Sequence, residues 1–131
     1  MLTLDTHTLI WWVDQSPKLS PVAQKALAGI SPDRPVMVSS ISVWELYMLV
    51  AKGRLEMKTD PAHWVRQCEK SEKIRFVPID NEIARISVQL PSSVHDDPAD
   101  RLIIATALSL GVPLITRDAK IRASGVVKTI W

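Results

Sequence analysis

The feature that most constrains the fold is a series of short, continuously apolar runs that alternate with longer segments of helical character. Five such runs predict strands, at residues 2–4, 36–38, 74–79, 112–116 and 126–130. Strands that are apolar on every side are typical of sheets buried on both faces. Because helical segments separate the runs, their connections are expected to be parallel crossovers. The sequence therefore predicts an α/β fold with a central, mostly parallel sheet.

The helices between these strands are marked by their capping residues. Serine or aspartate followed by proline opens three of them, at Ser20-Pro21, Asp60-Pro61 and Asp97-Pro98, which is typical of helix starts. Predicted helices cover approximately residues 6–13, 21–29, 43–52, 61–73, 81–90 and 99–110. A short turn or helix is expected after Asp118.

Length and composition predict a single domain. At 131 residues the chain is long enough for one sizeable core, so we expect one domain over residues 1–131. No apolar run approaches the roughly 20 residues that a membrane span requires. The N-terminus lacks the basic flank of a signal peptide, and Cys68 is the only cysteine, which excludes an intramolecular disulfide. These features favour a cytoplasmic protein without a membrane partner, in which Cys68 is a buried small hydrophobe.

Four acidic residues that are distant in sequence are expected at one edge of the sheet. Asp5 and Asp118 each follow a predicted strand, while Glu45 and Asp100 lie in the first turn of helices that follow strands. The carboxyl ends of parallel strands share one edge, where such sheets bind ligands. Carboxylates gathered there repel one another unless protons or cations neutralise them, and an all-oxygen set suits Mg²⁺ or Mn²⁺. The pattern indicates a divalent-metal site suited to phosphodiester hydrolysis by a metal-activated water.

Several of these acids also have a purely structural interpretation. Ser42 and Glu45 have the spacing of a capping box, and for Glu45 capping and metal binding are equally favoured. Asp97 is interpreted as a helix cap that stands beside the site. Asp118 taken alone is a turn residue after a strand. It is the common placement of the acids that favours a metal site over these separate roles.

Two threonines and two histidines lie near the acids in sequence. Thr116 precedes Asp118 by two positions, and we expect its hydroxyl, or that of Thr6, to support a carboxylate or a bound water. Satisfying backbone groups at the strand ends is the alternative for both. His7 is interpreted as a packing residue, and His95 as a surface residue of a polar loop.

Taken together, these residues resemble the PIN-domain nuclease family and, within it, the VapC-type toxins of toxin–antitoxin pairs. The matching stretches, in the order that the family has them, are LDTHTLIWW, SSISVWELYMLVAKGRL, HDDPADRLIIATAL and LITRDAKI. The resemblance implies a three-layer α/β/α sandwich around a sheet of four or five strands, with Mg²⁺- or Mn²⁺-dependent endoribonuclease activity. It assigns Asp5, Glu45, Asp100 and Asp118 to the acidic site, and a polar residue, Thr6 or Thr116, beside it.

The expected partners are RNA and other protein chains. Arg54, Arg117 and Lys120 are candidates for contacting RNA, with ordinary solvated surface positions as the equal alternative. RNA rather than DNA is implied by the resemblance alone, and the sequence reveals no aromatic platform for single strands. The helices at residues 7–13 and 41–50 are apolar on nearly every side, which suggests burial in the core or against another chain. The resemblance favours a homodimer with a groove for the helical tail of a cognate antitoxin.

Two other functions are compatible with the acidic pattern. A phosphatase of the haloacid-dehalogenase type would use a strand-end aspartate as nucleophile, but His7 stands where that family has a second acid. A non-catalytic module of the same fold would bind only an antitoxin or RNA. Metal binding separates this second alternative from a nuclease.

Overall fold

The computed structural model describes residues 1–131 and contains a five-stranded sheet whose neighbouring strands are all parallel. The elements are β1 (Leu2–Leu4), α1 (Thr6–Val13), α2 (Pro21–Leu27), β2 (Val36–Ser39), α3 (Ile41–Ala51), α4 (Pro61–Lys70), β3 (Ile74–Val77), α5 (Asn81–Gln89), α6 (Pro98–Leu110), β4 (Leu114–Ile115), α7 (Ala119–Ser124) and β5 (Thr129–Ile130). The strand order is β3-β2-β1-β4-β5. The predicted α/β fold with a parallel sheet is confirmed.

Apolar cores lie on both faces of this sheet. Leu114 and Ile115 are neighbours in β4, so their side chains point to opposite faces, and each belongs to a different core. The core of Ile115 includes residues of α1, α2, α3 and α4, whereas the core of Leu114 includes residues of α6 and α7. Helices therefore cover both faces, as the predicted three-layer sandwich requires. Cys68 lies in the first core, and burial raises the pKa of its thiol to about 12, which keeps it neutral.

Several elements are shorter than the sequence predicts. Strand β3 ends at Val77 because Pro78 follows, and β4 begins only after Pro113, since proline has no N–H to donate to a ladder. The last strand is limited to Thr129–Ile130. Helix α4 ends at Lys70, because Ser71 has an extended backbone. None of the helices combines the length and the apolar character needed to cross a membrane.

Helix α3 begins earlier than predicted, and this removes the predicted capping box. Ser40 is its N-cap and makes no side-chain capping hydrogen bond. Ser42 is buried within the helix, where its hydroxyl accepts a hydrogen bond of 2.9 Å from the hydroxyl of Thr6. The capping interpretation of Ser42 and Glu45 is therefore wrong. Glu45 lies beyond the first turn, with its carboxylate free of any capping role.

Candidate active site

An acidic cavity of about 440 Å³ lies at the carboxyl edge of the sheet. The residues that line it are Asp5, Thr6, His7, Trp11, Glu45, Asp100, Arg117 and Asp118. Asp5 directly follows β1, Asp118 comes three residues after the end of β4, and the other two acids are held by helices α3 and α6. The fold thus brings all four acids predicted for the site to one cavity.

Asp5 is the most deeply buried of these acids, with 9% of its surface exposed. One of its oxygens accepts a hydrogen bond from the Thr8 N–H at 2.8 Å, which caps α1, and the other accepts one from the Thr116 hydroxyl. Burial raises the pKa of Asp5, and the hydrogen bonds from Thr116 and Thr8 oppose this shift. Asp5 is therefore a carboxylate in a fixed orientation at the end of β1.

Thr116 connects Asp5 to Asp118. Its hydroxyl donates to Asp5 and also accepts a hydrogen bond from the Asp118 N–H at 3.0 Å. Asp118 in turn caps α7, since its Oδ1 accepts from the Ile121 N–H at 2.9 Å. Thr116 thus contacts a carboxylate in the way that the sequence predicts, and it ties together the ends of two neighbouring strands.

Asp100 is paired with a histidine that the sequence assigns to the surface. His95 Nε2 lies 2.7 Å from Asp100 Oδ2, and the two side chains are only 23% and 22% exposed. The other ring nitrogen of His95 is buried and has no hydrogen-bond partner. The surface interpretation of His95 is wrong, because the loop before α6 carries its ring onto the first turn of that helix. The only sequence signal is its position shortly before the Asp97-Pro98 cap.

Arg101 holds this loop in place. Its guanidinium donates at 3.0–3.5 Å to carbonyls at the end of α5 and in the following loop, which have no partners within the helix. The accepting carbonyls belong to Ser87, Val88, Leu90, Val94 and His95. Arg101 therefore fixes the backbone of His95, and through it the ring that contacts Asp100. Sequence reasoning misses this role, because it depends on the path of the loop.

The surroundings of Asp100 favour its neutral form. Burial raises the pKa of Asp100 to about 6, the carboxylates of Asp97 and Glu45 add to the shift, and the hydrogen bond from His95 opposes it. Asp97 also caps α6 as predicted, accepting from the Asp100 N–H at 2.9 Å. Without a cation, Asp100 therefore takes up a proton at about pH 6, well above the usual range of an aspartate.

The donor atoms around Asp100 fit a divalent cation. In two overlapping groups, one donor atom from each residue lies within 4.8 Å of those of the other two residues. The groups are His95, Asp100 and Asp118, and Glu45, Asp97 and Asp100. Carboxylate oxygens suit Mg²⁺ and Mn²⁺, and the imidazole nitrogen adds affinity for transition metals. Asp100 belongs to both groups, which makes it the centre of any metal site here. Asp5 belongs to neither, although it lines the same cavity.

Some of the predicted site residues do not contact the acids. Thr6 lines the cavity, but its hydroxyl donates to Ser42 and joins α1 to α3 instead of contacting a carboxylate, so its support of a bound water stays a prediction. Among the basic candidates, Arg117 lines the cavity, whereas Arg54 and Lys120 are exposed outside its lining. The cavity therefore has a single basic side chain in its wall, apart from the imidazole of His7.

An aromatic side chain that the sequence does not single out completes the wall. Trp11 lies one helical turn after His7, and their rings are 5.7 Å apart. The guanidinium carbon of Arg117 and the Nζ of Lys18 each lie 5.9 Å from the centre of the Trp11 ring, and Trp131 packs against it at 6.0 Å. The wall beside the acids is therefore aromatic and basic.

The fold and the acidic cavity are those of a PIN domain, and the sequence matches the PIN domain family over residues 2–125. The chain belongs to this family. It is 36% identical over 130 residues to Ribonuclease VapC22 of Mycobacterium tuberculosis. The aligned region covers 98% of this chain and 96% of that protein. The predicted resemblance to VapC-type toxins is thereby confirmed.

Solved structures have the same fold. The chain resembles FitAcB from Neisseria gonorrhoeae with a TM-score of 0.70 and 25% identity, over 98% of this chain and 96% of that one. It also resembles a toxin–antitoxin complex from Klebsiella pneumoniae with a TM-score of 0.61 and 26% identity, over 92% of this chain and 88% of that one. The agreement extends along nearly the whole chain, as the predicted three-layer sandwich requires.

Proposed function

We propose that the chain is a VapC-type toxin that hydrolyses RNA phosphodiester bonds in its acidic cavity. The observation that carries the proposal is the convergence of Asp5, Glu45, Asp100 and Asp118 in a chain related over its whole length to a ribonuclease. The cavity lining contains neither serine nor cysteine, and the Thr6 hydroxyl is bound to Ser42. Water is therefore the nucleophile that we expect.

We propose that Asp100 holds a divalent cation, Mg²⁺ or Mn²⁺, together with Asp118 and Glu45 and with Asp97 beside them. The closeness of their donor atoms supports this assignment. A cation bound there supplies a Lewis acid that makes water nucleophilic near neutral pH and offsets charge on the phosphate. Asp5 would complete the ligand set, because each of its hydrogen-bonded oxygens keeps a second lone pair.

The remaining residues orient these groups and the substrate. Thr116 and Thr8 keep Asp5 from rotating, and His95 does the same for Asp100. The Glu45 carboxylate has neither a hydrogen bond nor an ion pair, so it is available to orient a water or to accept its proton. Arg117 contributes the positive charge that a phosphate requires next to an acidic centre.

We also propose a cognate antitoxin and a second copy of the chain as partners. The toxin–antitoxin complex among the similar structures supports the first. Trp44 and Tyr47 on α3 support a protein contact surface, since they share one helix face and are 56% and 42% exposed.

The buried single thiol favours a cytoplasmic location. Both cores pack on one sheet, so we propose that residues 1–131 act as a single domain.

The phosphatase alternative has no support from the site. His7 lines the cavity two positions after Asp5, where a phosphatase of that type has its second acid. A non-catalytic module would neither bind a divalent metal in the cavity nor cleave RNA, so measuring both distinguishes it from a nuclease.

The proposal is tested by incubating the purified chain, free of antitoxin, with RNA in Mg²⁺, in Mn²⁺ and in a chelator. We expect cleavage that requires metal and that Asp5→Asn abolishes without loss of the fold. Asp80→Asn is the matched control, because Asp80 caps α5 outside the cavity. It accepts from the Ile83 N–H at 2.8 Å, the same distance as between Asp5 and the Thr8 N–H. Cleavage in the chelator, or equal cleavage by Asp5→Asn and Asp80→Asn, would contradict the proposal.

A further inference from the structure

We infer that Trp11 and Arg117 form a stacking subsite for the base of an unpaired nucleotide next to the phosphate that is cut. This inference rests on the proposed function, and it defines the substrate as single-stranded or looped RNA. Trp11 is the one hydrophobic residue in a cavity lining that is otherwise polar or charged. A half-buried indole in the wall of an acidic cavity leaves apolar surface in contact with water, which binding of a flat base would cover.

The contacts of the indole divide into those inside and outside the cavity. Arg117 and His7 line the cavity with Trp11, whereas Lys18 and Trp131 contact the ring from outside the lining. Trp131 and Lys18 therefore contact the ring without taking up space in the cavity. The cavity wall presents the indole together with a guanidinium and an imidazole, all of which are planar.

Planar side chains of this kind match the chemistry of an unpaired nucleotide. Bases that are released from a helix stack on aromatic rings and on arginine guanidinium planes, and a guanidinium also binds phosphate oxygens. In a duplex the faces of the bases are already stacked, so Trp11 could not reach them. Stacking is tolerant of base identity, so this subsite selects unpaired structure more than sequence.

Trp12 provides an internal control for this role. It follows Trp11 in α1, is half-buried like it and packs against the same apolar core, but it does not line the acidic cavity. Replacing either tryptophan removes similar packing from the core. A difference in RNA binding between the two variants therefore reports on the cavity wall and not on the fold.

The experiment measures RNA binding in the Asp5→Asn background, so that bound RNA is not cut. Fluorescence anisotropy gives the affinity for an end-labelled single strand and for a duplex of the same sequence. Trp11→Leu should weaken single-strand binding about tenfold, Trp11→Phe should retain most of the affinity, and Trp12→Leu should change it less than about twofold. Duplex binding should be the same for all variants.

A scan of abasic positions along the single strand tests the stacked base itself. With Trp11 present, loss of the base at one position should weaken binding, and in Trp11→Leu the same abasic RNA should cause no further loss. The inference would be overturned if Trp11→Leu and Trp12→Leu weakened single-strand binding equally, or if Trp11→Leu weakened duplex binding as much as single-strand binding. It would also be overturned if no abasic position depended on Trp11. If the chain with its original Asp5 cleaves RNA but any of these contrary results is found, only the stacking subsite fails. If it neither cleaves nor binds RNA, the proposed function fails as well.

Discussion

Asp5 and Asp100 line the same cavity, but the protein compensates their charges in different ways. Asp5 is nearly inaccessible, and hydrogen-bond donors, the Thr8 N–H and the Thr116 hydroxyl, occupy both of its oxygens. Asp100 is more exposed and has carboxylates as neighbours, with His95 as its only hydrogen-bonded side chain. Burial therefore disfavours the charge on both acids, but only Asp100 also lies among other carboxylates, whose repulsion a cation would offset.

This difference explains how one site can be both rigid and dependent on a cation. Burial raises the pKa of both acids, and hydrogen bonds oppose the shift at both, from Thr116 and Thr8 at Asp5 and from His95 at Asp100, but only at Asp100 do nearby carboxylates increase it. A metal should therefore bind first at the end of the cavity that contains Asp100.

The largest effect is expected from Asp100→Asn. Because Asp100 belongs to both groups of clustered donor atoms, this substitution should abolish measurable Mn²⁺ binding and RNA cleavage together. Isothermal titration with Mn²⁺ and a cleavage assay measure the two effects. Asp80→Asn, which removes a charge at a helix cap outside the cavity, should change neither. Unaltered Mn²⁺ affinity in Asp100→Asn would show that the metal site is elsewhere.

The stability of the metal-free chain should fall as the pH rises through the pKa of Asp100. That pKa is raised from 3.8 to about 6, so the folded state binds the proton more tightly than the unfolded state does. The resulting stabilisation is complete below the unfolded pKa, and its loss at higher pH amounts to at most about 3 kcal/mol. The groups that face Asp100 are His95, Asp97, Glu45 and Asp118.

Urea unfolding in a chelator at a series of pH values measures this loss. Asp100→Asn should reduce the dependence around pH 6, because the asparagine does not titrate, while the contribution of Asp5, whose pKa is also raised, remains. The variant should be more stable than the original chain near neutral pH. A pH dependence that is unchanged in Asp100→Asn would assign it to other groups.

The fold and the acids of the site follow from the sequence, whereas the residues around them do not. Asp5 and Asp118 are predictable because each comes within three residues of the end of an apolar strand, and parallel strands share one carboxyl edge. His95 and Trp11 are not, because their positions depend on contacts between distant segments, with Arg101 holding the loop and Trp131 packing behind the indole. The capping box at Ser42 has the correct spacing but fails, since the partner of its hydroxyl is Thr6 in another helix.

At the Asp5 end of the cavity, Thr116→Val should destabilise the protein by about 1–3 kcal/mol, because it removes a donor from a buried carboxylate. Thr116 is fully buried and valine has nearly its shape, so packing is preserved. Thr106→Val is the matched control: Thr106 is equally buried, but its hydroxyl donates only to the Leu102 carbonyl within its own helix. Equal destabilisation by the two variants, in urea unfolding, would show that the Asp5 contact has no special weight.

The smallest effect is expected from His95→Ala. Loss of the imidazole that orients Asp100 should lower the Mn²⁺ affinity by about tenfold to a hundredfold while leaving the stability nearly unchanged. Isothermal titration measures the affinity, and His63→Ala, which changes an exposed histidine of α4, serves as the control. An affinity equal to that of His63→Ala would remove His95 from the metal site.

Anomalous diffraction from crystals grown with Mn²⁺ would show whether Asp100 holds the cation, because it locates the ion without reference to activity. We predict a peak about 2–2.2 Å from a carboxylate oxygen of Asp100, with Asp118 or Glu45 as a further ligand. A well-ordered acidic cavity without such a peak, or a Mn²⁺ ion bound only at other acids of the surface, would contradict the claim.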